Sequence, residues 1–152
     1  MTLYADTSFI VALRYRRDTF HGEATEYFAR RCEDDWLWCP WHRAEVFHAL
    51  RQYTQHSDTK RAMTGSEARA IINRLENDVR VGYLAHLEAD WRDVLRTANE
   101  ISAVHGFDLP FSSADLLHVA YAKELAADLF VSFDEDQLAL AEAAGLKVEN
   151  PA

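Results

Sequence analysis

Along this chain, short apolar runs alternate with longer segments whose apolar residues recur every three or four positions, the pattern of strands alternating with amphipathic helices. Leu3 to Ala5 reads as a short strand, and Phe9, Ile10 and Leu13 share one helical face over Thr7 to Arg14. A second helix is expected over His21 to Arg31, followed by a strand at Trp36-Leu37-Trp38-Cys39. Pro40 suits the first turn of a helix running to about His56, with Val46, Leu50 and Tyr53 at i, i+4 and i+7. After a polar break from Ser57 to Gly65, Ser66 is placed to cap a helix through about Asn77, and Val79 to Leu84 reads as a strand. The next helix runs from about Ala89 to His105 and stops at Gly106.

Pro110, Ser112 and Ser113 introduce a further helix carrying Leu117, Tyr121 and Leu125 at i, i+4 and i+8. Leu129 to Ser132 is a continuous apolar run, as in a strand covered on both faces. Asp134 opens a short helix to Ala144, Gly145 ends it, and Leu146 to Glu149 makes a last strand. The order predicts an α/β fold with a central, mainly parallel sheet flanked by helices, in one domain over residues 1–150.

The 152 residues are 49% hydrophobic, enough for one continuous core. No apolar run approaches the roughly 20 residues that span a bilayer, and the first residues lack the pattern of a signal peptide, so a cytoplasmic protein without membrane contact is expected. Cys32 and Cys39 fit no zinc spacing and read as packing thiols.

The net charge of -9 arises entirely after residue 62, because residues 1–62 hold nine basic and nine acidic residues. The basic residues gather early: Arg14, Arg16, Arg17, Arg30, Arg31, Arg51, Lys60 and Arg61. They offer a modest phosphate-contacting rim, although solvated helix surface is the commoner use of any one of them. An acidic total opposes strong nonspecific nucleic-acid binding, which draws its affinity from phosphate neutralisation.

Four acids stand where strands give way to helices: Asp6, Glu45, Asp115 and Asp134. In a parallel sheet, ligand sites lie beyond the carboxyl ends of the strands, and carboxylates converging there need a cation or protons. Taken singly, each has an ordinary reading: Asp6 as a helix N-cap, Glu45 as a solvated helix residue, Asp115 as a first-turn acid, Asp134 as a cap paired with Gln137. Their equivalent positions within apolar surroundings point jointly to a divalent-metal site. Such a site supports metal-assisted hydrolysis of a phosphodiester by one ion or two, and Asp6 and Asp115 are the first choices as ligands.

Other chemistries compete. His48 and His118 each follow a site acid by three residues, as a metal-free acid/base ribonuclease would use them, but both sit among core-facing residues. Trp36, Trp38 and Trp41 suit core packing or a subunit interface better than base stacking, and Tyr4 reads as core. An Asp-nucleophile phosphatase would use a second acid two residues after Asp6, where Ser8 stands.

Asp6-Thr7-Ser8 after a short strand, Ala-Glu45-Val, Asp115-Leu-Leu-His-Val-Ala, and Val-Ser-Phe-Asp134 before Ala-Glu-Ala-Ala-Gly-Leu-Lys-Val together resemble a PIN-domain ribonuclease of the VapC toxin type, over essentially the whole chain. The resemblance implies that Asp6, Glu45, Asp115 and Asp134 form a catalytic Mg2+ or Mn2+ site, supported by the hydroxyls of Thr7 or Ser8 and of Ser132. It also implies an RNA substrate, a cognate antitoxin whose tail blocks the site, and a homodimer. Two departures bear on substrate contacts more than on the metal: Ser112 and Ser113 stand where many relatives carry an arginine, and Ser132 replaces a common threonine. Asp136 competes with Asp134, whose place directly after Phe133 matches the family better. The rival from another class is a noncatalytic PIN-fold module that acts by binding a partner protein.

Overall fold

In the computed structural model, which describes residues 1–55 and 62–152, five parallel strands form one sheet in the order β3-β2-β1-β4-β5. The strands are β1 (Thr2–Ala5), β2 (Asp35–Trp38), β3 (Ala85–His86), β4 (Leu129–Val131) and β5 (Val148–Glu149). Helices α1 (Thr7–Arg14) and α2 (His21–Arg30) join β1 to β2, and α3 (Pro40–Tyr53) and α4 (Gly65–Val81) join β2 to β3. Helices α5 (Trp91–His105) and α6 (Ser113–Glu124) lead to β4, and α7 (Glu135–Ala143) to β5.

The three inner strands alternate side chains between two cores, as a two-residue period demands. Leu3, Ala5, Trp36, Trp38, Leu129 and Val131 pack with α1 to α4 on one face. Tyr4, Leu37 and Phe130 pack with α5, α6 and α7 on the other. Both faces are covered, hence the unbroken apolar runs. Phe9 stacks on Trp36 with ring centroids 5.1 Å apart, and Tyr4 on Phe130 at 5.6 Å, so each face has an aromatic centre. Trp36 and Trp38 are core residues.

Several boundaries differ from those the sequence suggests. Val79 to Leu84 is not a strand: α4 continues to Val81, because Ile71, Leu75 and Asp78 extend one buried face and Asp78 pairs with Arg14. Gly82, at φ 86°, supplies the left-handed C-cap, and the strand follows three residues later. Thr64, not Ser66, caps α4, with Glu67 reaching back to its N–H. Asp90 caps α5 at Trp91. Gly106 ends α5 at φ −67°, and it is glycine for lack of room: a Cβ would lie 2.5 Å from the Ser102 carbonyl. Cys39 caps α3 rather than ending β2. The expected helix end at His56, the start of the break at Ser57, and Lys60 and Arg61 lie outside the described residues. Of the two cysteines, Cys39 is buried, but Cys32 is exposed and is no packing residue.

From β1 the chain moves outward through β2 to β3, then returns to β4 on the other side of β1. The carboxyl ends of β1 and β4 therefore flank the point where strand order reverses, the place where open parallel sheets form ligand crevices.

Candidate functional site at the carboxyl edge of the sheet

Asp6 directly follows β1, and its N–H continues the ladder to β4 by donating to the Val131 carbonyl at 3.1 Å. Its backbone turns at φ −76°, ψ 179° into α1, which it caps. Asp6 is 3% exposed, and its carboxylate accepts from three donors. The Ser8 hydroxyl lies 2.7 and 2.9 Å from its two oxygens, the Phe9 N–H 3.1 Å from Oδ1, and the Ser132 hydroxyl 2.8 Å from Oδ2. Burial nevertheless pushes the Asp6 carboxyl above its usual range, against the opposing pull of His118 and of these donors. An anion held there invites a compensating cation.

Ser132 ties the β4 end into the same cluster. Its hydroxyl donates to Asp6 and accepts from the Asp134 N–H at 2.9 Å, while the Phe133 N–H donates to the Ser8 hydroxyl at 3.3 Å. Asp134 is exposed and caps α7, its Oδ1 accepting from the N–H groups of Asp136 and Gln137. Asp136 lies two residues further on, inside the helix, so Asp134 is the acid adjoining Ser132.

Glu45 lies on α3, partly exposed, and its partner is a histidine. His118 Nε2 is 2.8 Å from Glu45 Oε2 and 3.1 Å from the Thr7 hydroxyl, and Nδ1 is 2.9 Å from the Tyr4 hydroxyl. An ionised carboxylate only accepts, so Nε2–H donates to Glu45, while Nδ1 pairs with the Tyr4 hydroxyl. Thr7 and Ser8 thus divide: Ser8 serves Asp6, and Thr7 faces His118. His118 is buried, whereas His48 is exposed and not core-facing as its neighbours suggested.

Asp115 stands one turn before His118 on α6 and is half-buried. It forms a capping box with Ser112: the Ser112 N–H donates to Asp115 Oδ2 at 3.0 Å, and the Asp115 N–H to the Ser112 hydroxyl at 3.1 Å. The ordinary cap roles of Asp6, Asp115 and Asp134 are therefore realised. The hydrogen bonds join Asp6 to the segment of Asp134, and Thr7 and Glu45 to α6, the helix of Asp115. Among the described residues no three His, Cys, Asp or Glu side chains are gathered closely enough to hold a metal ion. The donors themselves, carboxylate and hydroxyl oxygens around one desolvated carboxylate, suit a hard divalent cation such as Mg2+.

A second histidine supports this edge from below. His42 Nε2 lies 2.7 Å from the Ala5 carbonyl, and Nδ1 accepts the Cys39 N–H at 3.0 Å. Burial holds His42 down to about 3, so the ring is neutral. Sequence reasoning missed this residue; its place three positions after the cap residue Cys39 was the available signal.

Beside Asp134 and Ser8 opens a cleft of about 640 Å³ whose lining includes Arg17, Phe20 and Phe133. Phe133 stacks between Phe9 and Phe20, at 5.7 and 4.5 Å. Of the early basic residues, Arg17 reaches this cleft while bonded to Glu67 and the Ala62 carbonyl. Arg14, Arg30 and Arg31 are occupied by Asp78, Glu26 and by Asp34 with Glu149.

Comparison with solved structures finds the same architecture repeatedly. The Salmonella typhimurium VapBC structure bound to DNA aligns over 100% of this chain and 99% of that one, with a TM-score of 0.69 and 12% identity. VapBC2 from Rickettsia felis, bound to a DNA fragment from its promoter, aligns over 99% and 98%, at 0.68 and 13%. Mycobacterium tuberculosis VapC20, a sarcin-ricin loop cleaving toxin, aligns over 95% of both chains, at 0.67 and 21%. These likenesses show a shared fold. No curated protein sequence matches the chain. No described helix is long and apolar enough to cross a membrane. The PIN domain family model matches residues 3–143, and with the five-stranded parallel sheet this places the chain in the PIN domain family.

Proposed function

We propose that this protein is a Mg2+- or Mn2+-dependent endoribonuclease, the toxin component of a toxin–antitoxin pair, acting in the cytoplasm. The observation that carries the reading is the placement of Asp6 and Asp134 at the ends of the two strands flanking the switch point, with Glu45 and Asp115 on the helices joined there by His118. Membership of the PIN domain family and the fold shared with VapC toxins support it.

In this reading Asp6, Glu45, Asp115 and Asp134 are the metal-binding and catalytic acids, with Thr7, Ser8 and Ser132 as supporting hydroxyls. A bound hard cation supplies an acidified water and stabilises charge on the phosphate and the leaving oxygen. The chain's own contribution is positional. Ser8, Ser132 and the Phe9 N–H hold Asp6 in one rotamer, and burial keeps that carboxylate short of water, which strengthens its attraction for a cation. Exposed Asp134 stands at the mouth, where an RNA backbone can approach, and Arg17 in the adjacent cleft provides positive charge.

The partners follow the same reading: RNA as substrate, a cognate antitoxin, and a second copy of the chain. VapBC complexes among the structural relatives support the antitoxin. Exposed Leu87, Trp91 and Leu95, the last two one turn apart on α5, support self-association. The test is incubation of the purified protein with total cellular RNA in Mg2+, Mn2+ or EDTA, with cut ends mapped by sequencing. Discrete, metal-dependent cuts are expected; metal binding without any cutting would replace this reading with that of a noncatalytic interaction module.

A further inference from the structure

We propose that His118 is a positioning residue that fixes the Glu45 carboxylate at the sheet edge through a buried hydrogen-bond chain anchored in β1. The inference rests on the reading of Glu45 as a site acid, but its geometry stands apart from any reaction.

His118 is 1% exposed and Tyr4 is fully buried, so neither ring has water as an alternative partner. A buried imidazole whose two nitrogens are both engaged holds one orientation, because turning the ring by half would break both bonds and leave two desolvated polar groups. Here Nδ1 lies 2.9 Å from the Tyr4 hydroxyl, and the carboxylate partner at Nε2, which can only accept, calls for a proton on Nε2. The Nε2–H then points at Glu45 Oε2, 2.8 Å away, with the Thr7 hydroxyl at 3.1 Å. Packing removes the remaining freedom: the ring lies edge-on to Trp41 at 6.0 Å and to Tyr4 at 5.7 Å, and 5.4 Å from His42.

The chain extends back into the scaffold. The Tyr4 hydroxyl lies 3.6 Å from Cys39 Sγ, which lies 3.2 Å from His42 Nδ1, and His42 Nε2 bonds the Ala5 carbonyl. Ala5 is the residue before Asp6. One buried network thus sets both the strand end that launches Asp6 and the carboxylate of Glu45, which is 24% exposed and sits on a different helix. A glutamate on a half-exposed helix face has three rotatable bonds, and a fixed donor removes most of that freedom before any cation arrives. Among the described residues Glu45 Oε1 takes no hydrogen bond, so one oxygen is pinned and the other is available.

The test combines two measurements on RNA-free protein. Calorimetric titration with Mg2+ alone is expected to show binding about 10–100-fold weaker in His118→Leu than in wild type. His118→Gln, whose amide nitrogen falls near the Nε2 position, is expected to recover most of the loss. Nitrogen-15 NMR of wild type is expected to show His118 as the Nε2–H tautomer, with a proton signal that shifts in Glu45→Ala. Wild-type affinity in a folded His118→Leu protein would overturn the proposal, as would an Nδ1–H tautomer. If the leucine variant fails to fold, or wild type binds no Mg2+, the NMR result decides alone. Wild type that binds Mg2+ yet cuts no RNA would remove the nuclease reading and leave the role of His118 standing.

Discussion

Removing the Asp78 carboxylate is expected to cost this protein much of its stability, although the residue lies on α4, away from the four acids. Arg14, in the last turn of α1, places Nη2 2.7 Å and Nε 2.8 Å from Asp78 Oδ2. Their side chains are only 9% and 5% exposed, so both charges have left water. Burial pulls the Arg14 guanidinium below its usual range, and Asp78 opposes the shift. Asp78→Ala strands a charged guanidinium, which remains protonated, in apolar surroundings, a loss of about 3–5 kcal/mol. For a chain of this length that lowers Tm by roughly 6–20 °C, at about 2–4 °C per kcal/mol. The assay is thermal unfolding followed by circular dichroism, with urea unfolding as an independent check. The double variant Arg14→Leu/Asp78→Leu discriminates mechanism from crowding: removing both charges is expected to return stability to within about 2 kcal/mol of wild type, or above it. A loss below about 1 kcal/mol in Asp78→Ala, the size of an exposed ion pair, would refute the reasoning.

Asp6→Asn is expected to raise Tm at neutral pH, because it removes a buried charge while keeping the shape that the surrounding donors recognise. The raised carboxyl means that wild-type stability falls as pH climbs from the ordinary value of 3.8 through the folded one. The advantage of the variant should therefore shrink as the buffer is taken down toward pH 4; a constant advantage across the range would disprove the cause. His42 works in the other direction: the unfolded ring takes up a proton near 6.5 and the folded ring only at about 3, so its contribution to stability is lost progressively as pH falls through that window. NMR titration that shows His42 protonating above pH 5 in the folded protein would contradict the geometry. Phe133→Ala, which removes the middle ring of a three-ring stack, is expected to cost about 1–3 kcal/mol in urea unfolding and to enlarge the cleft beside Asp134.

The strands were legible because the buried ones are nearly all apolar and the helices carry a 3.6-residue period. The failure at Val79 to Leu84 shows the limit of that signal: Val-Arg-Val has strand propensity, but the position of Asp78, one turn after Leu75 and aimed at Arg14, carries α4 onward to Gly82. A buried ion pair between residues 64 apart leaves no local trace. At the edge of the sheet the acids were visible as residue types at recurring chain positions, and Ser8 and Ser132 as nearby hydroxyls. What stayed hidden was the division of labour. Thr7 and Ser8 are equivalent in sequence, yet one faces His118 and the other Asp6, because successive residues at a helix N-terminus point about 100° apart. His118 was visible as a neighbour of Asp115, whereas its bond to Glu45 spans 73 positions and depends on α3 meeting α6 across β1. His48 carried the same spacing and is exposed, so spacing alone did not separate a buried partner from a surface one.

The central claim, that the acids at this edge hydrolyse RNA with a divalent cation, is tested most directly by single-turnover cleavage of an RNA carrying a mapped cut site. Wild type, Asp6→Asn, Asp115→Asn and the double variant are to be compared in Mg2+ and in EDTA, with melting curves confirming that each is folded. Cleavage by wild type in Mg2+ alone, lost at least 100-fold in either folded single variant and no further in the double, is the predicted result. Cleavage that survives EDTA, or that persists in folded Asp6→Asn/Asp115→Asn, would contradict it.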